Sequence, residues 1–302
     1  MQTGGGFKTG SGVSSGVVRQ SLLAVPLGAI ATVMAALASN GSYRKIYNKA
    51  SLWSSGTAKK ITATITGVAG QVAANSVTVI GTDAAGAPLT EVLPAFTLAT
   101  LGTVTSVGLF KTVTQVLMPA HNGTGVLISV GVSGAGVADV LPAWTDKGVQ
   151  SIHIIDSPSV INNPVVPRNI TATAGGIAGD IKAIQPKVFG TNSDDQPINE
   201  TLPAFTLITA GSVVGSKAFK TVDSVEIPPH NGNGATTSFG VGAKLGIGRK
   251  LTRDTTVTAF LGNVKEGVAP TVVADGNVVE NNTFQLASAL NGSDVHLYFM
   301  TD

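Results

Sequence analysis

A chain of 302 residues with 43% hydrophobic and 12% charged residues can bury more than one core, and its charge is about half the usual share, which excludes a solvated tail and a charge-laced helical bundle. The formal net charge of +2 comes without any Lys/Arg cluster interleaved with aromatics, which excludes a basic footprint for nucleic acid. With no cysteine there is no disulfide framework, thiolate zinc site or cysteine nucleophile, and the sparse charge predicts a homo-oligomer whose neighbours cover part of the surface.

Residues 1–60 read as an N-terminal arm and apolar anchor segment. The first 16 residues, MQTGGGFKTGSGVSSG, are too Gly/Ser-rich for a core of their own. Gln20 to Ser39 imitates a signal peptide, with Lys8 and Arg19 before an apolar stretch and a small-residue pattern at Ala36-Leu37-Ala38. Pro26 interrupts the run and its length is marginal for a membrane span. The segment is therefore expected to be a buried arm or helix packed within an assembly, with a signal or a membrane segment as the alternatives.

An internal repeat follows. Ile61 to Val132 aligns with Ile170 to Val241 without a gap, since 170 − 61, 200 − 91 and 230 − 121 all give 109, and 35 of the 72 aligned positions are identical. ITATITGVAG answers ITATAGGIAG, LPAFTL and FKTV recur, and the turn motif PxHNGxG occurs at Pro119 to Gly125 and Pro228 to Gly234. The copies must share a fold, and their length is near that of an immunoglobulin-like sandwich rather than a solenoid unit.

Dense Thr, Val, Ile and Phe with period-two alternation predict strands at Ile61–Ile65, Val77–Ile80, Phe110–Met118 and Val126–Val132. A turn is predicted over Asp83 to Pro88 and another at His121-Asn122-Gly123. The second copy predicts strands over Phe219–Ile227 and Ala235–Val241. Pro94 and Pro203 would mark a strand edge or start, with Phe96 and Phe205 as core anchors. Further strands are expected at Thr255–Leu261, Thr271–Val273, Thr283–Leu286 and Val295–Met300, with Asn291-Gly292 in the last hairpin. The predicted fold class is all-β: two tandem immunoglobulin-like β-sandwich modules at 61–150 and 151–250, preceded by the arm and followed by a C-terminal β region at 251–302.

Chemistry is sparse. His121 and His230, and Glu91 and Glu200, are matched pairs that could be imagined as acid/base or metal groups, yet a His and a Glu separated by 30 residues fit no ligand spacing. They are read as turn residues that fix strand ends. Asn192-Ser193-Asp194-Asp195 could offer oxygen ligands to calcium, but its counterpart Asp83-Ala84-Ala85-Gly86 lacks that density, so a hairpin loop is expected. There is no HExxH and no phosphate loop ending in Lys-Ser/Thr. No catalytic, cofactor-binding or metal residues are assigned, and no cofactor is expected.

The run from Ile170 through Gly248, with ITATAGG, ETLPAFT and GSKAFKTVDSVEIPPHNGNGATTSFGVGAKLGIG, resembles structural proteins encoded among the head and tail genes of tailed bacteriophages. The likeness covers about half the chain when both copies are included. It implies a non-enzymatic virion protein, such as a capsid decoration protein or the base of a head spike or fibre, with tail or neck components next. Capsid or other virion proteins would be its partners. The alternative is a secreted or cell-surface adhesin with tandem immunoglobulin-like domains. On this reading, deleting residues 1–50 leaves both modules folded and removes the anchor.

Overall fold

The computed structural model describes residues 17–25, 43–133 and 161–300, together with the backbone of short strands at 7–8, 14–15, 34–38, 141–145 and 153–156. The fold is all-β, with strands and short 3₁₀ turns and no α-helix among the described residues. The N-terminal strands are β1 (Phe7–Lys8), β2 (Ser14–Ser15), β3 (Val17–Leu22), β4 (Met34–Ala38), β5 (Tyr43–Tyr47) and β6 (Trp53–Lys59). The first copy holds β7 (Ile61–Gly67), β8 (Thr78–Thr82), β9 (Pro88–Val92), β10 (Gly102–Thr105), β11 (Phe110–Met118) and β12 (Val126–Val132). After β13 (Leu141–Thr145) and β14 (His153–Asp156), the second copy holds β15 (Arg168–Gly176), β16 (Lys187–Thr191), β17 (Pro197–Thr201), β18 (Gly211–Phe219), β19 (Thr221–Ile227) and β20 (Ala235–Gly246). The C-terminal strands are β21 (Thr256–Leu261), β22 (Val264–Lys265), β23 (Thr271–Val273), β24 (Thr283–Gln285) and β25 (Val295–Met300).

Two compact units form, each discontinuous in sequence. One gathers residues 38–161 with 224–235, and the other gathers 1–37, 162–223 and 236–302. Residues 224–235 of the second copy thus cluster with the first.

The unit containing the first copy is a two-sheet sandwich. One sheet runs β10-β7-β12-β13; the other runs from the 224–227 half of β19 through β5, β14, β11 and β8 to β9, with β6 also on β11. In β7 the alternation is plain: Ile61, Ala63 and Ile65 are buried while Thr62 and Thr64 turn away. They pack with Val126, Ile128 and Val130 of β12 against Val79, Phe110 and Val116 of the facing sheet. Strand β11 buries Phe110, Val113, Val116 and Met118, a spacing of three, three and two. Its register against β8 shifts between Val113 and Gln115. That bulge returns Val116 to the core face. At Gly81 an added Cβ would lie 1.9 Å from the carbonyl oxygen of Thr112, and at the equivalent Gly190 it would lie 1.9 Å from that of Thr221.

In the other unit, β18, β15, β20, β24 and β23 form one sheet, with β4 on β20, and β22, β21, β25 and β3 form another. Leu22, Leu245, Phe284, Leu297 and Phe299 share a core there. The two copies keep the same ladders: Thr103↔Thr64 answers Ser212↔Thr173, and Thr78↔Val92 answers Lys187↔Thr201, each at the offset of 109.

Several expectations change. Residues 43–59, assigned to the arm, form β5 and β6, and Ile46 is fully buried. Gln20–Leu22 belongs to β3, which pairs with β25, and Met34–Ala38 is a strand, so neither stretch is helical. Residues 26–33 and 39–42, and most of the first 16, lie outside the described residues. No helix among the described residues is long and apolar enough to cross a membrane. The strand expected over Phe219–Ile227 is split, because Phe219 ends β18 and the Lys220 N–H turns to the carbonyl of Thr191. Strand β20 runs on to Gly246, where Leu245 and Gly246 pair with β24. The Asn291-Gly292 turn joins β24 to β25, which belong to different sheets, so it closes no hairpin.

Candidate functional site

Three loops close one end of the first copy. The 3₁₀ turn Ala69–Gln71 leads to Asn75, LPAFTL leaves β9, and residues 119–125 join β11 to β12. LPAFTL is no strand edge or start. It crosses from the β8/β9 sheet to the β7/β10 sheet, with the N–H groups of Leu93, Phe96 and Ala99 donating to the carbonyls of Val77, Asn75 and Val72. The second copy repeats these bonds from Leu202, Phe205 and Ile208 to Pro186, Ile184 and Ile181. Phe96 and Phe205 are core anchors, each 3% exposed. Ala99 and Ile208 hold φ of 53° and 51°, a left-handed conformation that a β-branched residue resists, so the crossing is imposed by its surroundings.

His121 clamps this end. Its buried Nδ1 accepts the Ala73 N–H at 3.0 Å, and its ring lies 6.1 Å from that of Phe96. Gln71 closes the neighbouring turn, its Oε1 accepting the Gly125 N–H at 2.7 Å and its carbonyl that of Asn122 at 2.9 Å. His230 occupies the equivalent position and is also buried, which pushes its pKa below the usual imidazole value.

The matched glutamates serve a different loop. Glu91 accepts the N–H groups of Val107 and Gly108 at 2.6 and 2.9 Å. Glu200 accepts those of Ser216 and Lys217 at 2.7 and 3.3 Å, and the Ser216 hydroxyl at 2.8 Å. Histidine and glutamate are therefore committed to separate loops in the first copy, and they do not form an acid/base pair there. At Asn192 the side-chain oxygen accepts the N–H groups of Asp194 and Gln196, as Asp83 accepts those of Ala85 and Ala87. These are turn-closing bonds, and Asn192 Nδ2 donates to Glu280 at 3.1 Å. Among the described residues, no group of three or more His, Asp or Glu could hold a metal ion. A cavity of about 210 Å³ bordered by Ser216, Lys244, Asp275 and Thr283 falls below the roughly 300–1,000 Å³ of ligand pockets.

One cluster escaped the sequence reading. On β5 and β19, the Tyr43 hydroxyl donates to Glu226 Oε2 at 2.6 Å and Lys45 Nζ lies 2.9 Å from Oε1. Lys45 and Lys49 sit 5.4 and 5.0 Å from the Tyr47 ring centroid, within cation–π range. Burial, reinforced by Glu226, pushes Tyr47 up to about 12 and raises Tyr43 further. The signal was a Tyr-Arg-Lys run in a charge-poor chain and a lone Glu inside a core strand. Neither identifies its partner 181 residues away.

Each copy also displays apolar side chains at matched places beside its 3₁₀ turn. Val68 and Leu98 are 51% and 61% exposed, and their counterparts Ile177 and Leu207 are 63% and 52% exposed. No protein-family model, curated protein or solved structure matches the chain.

Proposed function

We propose that this protein is a non-enzymatic structural component of a bacteriophage virion, a capsid decoration protein or the base of a head spike or fibre. It would work as a homo-oligomer seated on capsid or other virion proteins. The observation that carries the reading is the duplicated apolar end, with Val68 and Leu98 matched by Ile177 and Leu207 in exposure as well as position. Solvent-facing apolar side chains repeated at equivalent points are what a protein partner covers. The glutamates and the clamp histidine His121, which catalysis would need free, are spent on holding loops, and the phage-like run from Ile170 to Gly248 agrees with that use.

The test is to purify particles from a lysate of the producing host on a density gradient and to quantify the chain by mass spectrometry and gold-labelled antibody. Stoichiometric presence on the particle is expected. Absence from particles that carry their full set of head and tail proteins would overturn the reading. Leu98→Asp with Leu207→Asp should abolish incorporation while leaving the melting transition in place.

A further inference from the structure

The segments ahead of the two copies are structural equivalents that have traded places. At the offset of 109, Arg44 to Tyr47 of β5 correspond to His153 to Asp156 of β14. Strand β14 pairs with β11 of the first copy, Met118↔His153 through Gln115↔Asp156. Strand β5 pairs with β19 of the second copy, Ile227↔Arg44 through Ser224↔Tyr47. These registers coincide, since Met118 corresponds to Ile227 and Gln115 to Ser224. Strands β11 and β19 therefore each take the leading segment of the other copy, and β5 and β14 lie side by side in parallel. After β5 the chain returns to its own copy, where the Leu52 N–H bonds the Val113 carbonyl and β6 follows along β11.

Across the four paired positions, the two edges differ in charge at one. On β19, Glu226 stands opposite Lys45 and binds both Lys45 and Tyr43. On β11 the equivalent residue is Leu117, and the backbone register sets it opposite Ile154. If β14 occupied the β19 edge, Glu226 would face an isoleucine position, leaving a buried carboxylate without a cation. If β5 occupied the β11 edge, Lys45 would stand opposite Leu117. An ionic pair on one edge, and two apolar residue types in register on the other, would sort two backbone-equivalent segments.

We propose that the β19 edge is a donor-strand site that takes the Tyr43–Tyr47 segment from its own chain or from a second copy of this chain, with Glu226 reading Tyr43 and Lys45. The partner is a second copy because the fold already accepts this strand from outside the module it fills. Because β3 and β4 precede β5 and pair with β25 and β20, an exchange at the 48–52 link carries residues 1–47 together, and exchanging identical elements is a low-cost route to association. This inference is independent of where the protein resides.

The chain has no cysteine, so engineered cysteines report pairing without background. Full-length chains carrying Ile46→Cys alone and Val225→Cys alone are unfolded together, refolded at high concentration and oxidised. A covalent dimer whose share rises with concentration is expected, whereas pairing Ile46→Cys with Val116→Cys should give none. In a Glu226→Leu, Lys45→Ile background, the preference for the position 225 site over the 116 site should collapse toward parity. Ile46→Cys with Val225→Cys in one chain checks that the geometry permits the bond, and sedimentation of the cysteine-free refolded chain reads dimer formation without it. A monomer at every concentration, in a chain whose double variant cross-links, overturns the exchange. An unchanged preference in the Leu/Ile background overturns Glu226 as the selector.

Discussion

Glu200 and Gly190 show how differently two residues of one repeat are constrained. Glu200 binds a loop whose Ser216 is exposed, so water replaces much of what Glu200→Ala removes, and a loss of about 1 kcal/mol is expected by urea denaturation. Gly190 has no such relief, because the atom its Cβ would meet is the Thr221 carbonyl oxygen. Gly190→Ala should cost about 1–3 kcal/mol or more, and Gly81→Ala the same, while Gly179→Ala, with nothing within 4 Å, should be nearly neutral. Tyr47 gives a pH signature. Its pKa is raised from 10.0 to about 12 in the folded chain, so the stability tied to its neutral form is complete below 10 and is lost as pH climbs toward 12. Melting temperature should fall across that window, and Tyr43→Phe with Tyr47→Phe should flatten the fall. His230 works on the acid side: with its folded pKa lowered by burial, its contribution is full above the ordinary imidazole value and declines as pH drops below it.

At the scale of elements, the sequence reading separated arm from modules at residue 60, and the strands do not respect that line. Strand β5 fills the place between β19 and β14 and buries Ile46, and β3 completes the sheet of β25 from Val17 to Leu22. Deleting residues 1–50 removes both, exposing a sheet edge in each unit. Unfolding or aggregation is therefore expected, rather than the intact modules that the sequence implied. Deleting residues 1–16 leaves β3 and β5 in place and should preserve the melting transition. Far-UV circular dichroism and a thermal scan of the two truncations decide it. Strands of the first copy were legible because local alternation and turn chemistry define them: Phe110–Met118 and Val126–Val132 fall where the pattern places them, as does Thr271–Val273 in the C-terminal region. Strand β5 was not legible, since YRKIY carries two cations and its only fully buried residue is Ile46. Its apolar content is too small to announce a core strand, and it is held by Glu226 instead.

Across the full chain, the internal repeat alone establishes two copies of one all-β design. Many of the 35 identities fall on turn and core residues, and the pairings, the positive φ at Gly67 and Gly176, and the LPAFTL crossing repeat together. From sequence, the matched glutamates and His121 read as turn residues that fix strand ends; in the fold Glu91 and Glu200 lie within β9 and β17 and bind loops 16 residues on, and His121 binds Ala73, 48 residues back, so their partners were not legible locally. Which leading strand docks on which copy, and that residues 224–235 cluster with the first copy, emerges only from long-range pairing in the folded chain. The physical reason is that a strand edge offers the same backbone hydrogen bonds to any extended segment. On the donor-strand proposal, choice between two such segments rests on Glu226 with Tyr43 and Lys45 at one edge, where the other edge sets Leu117 in register with Ile154, and those contacts come into being only when the sheet has formed.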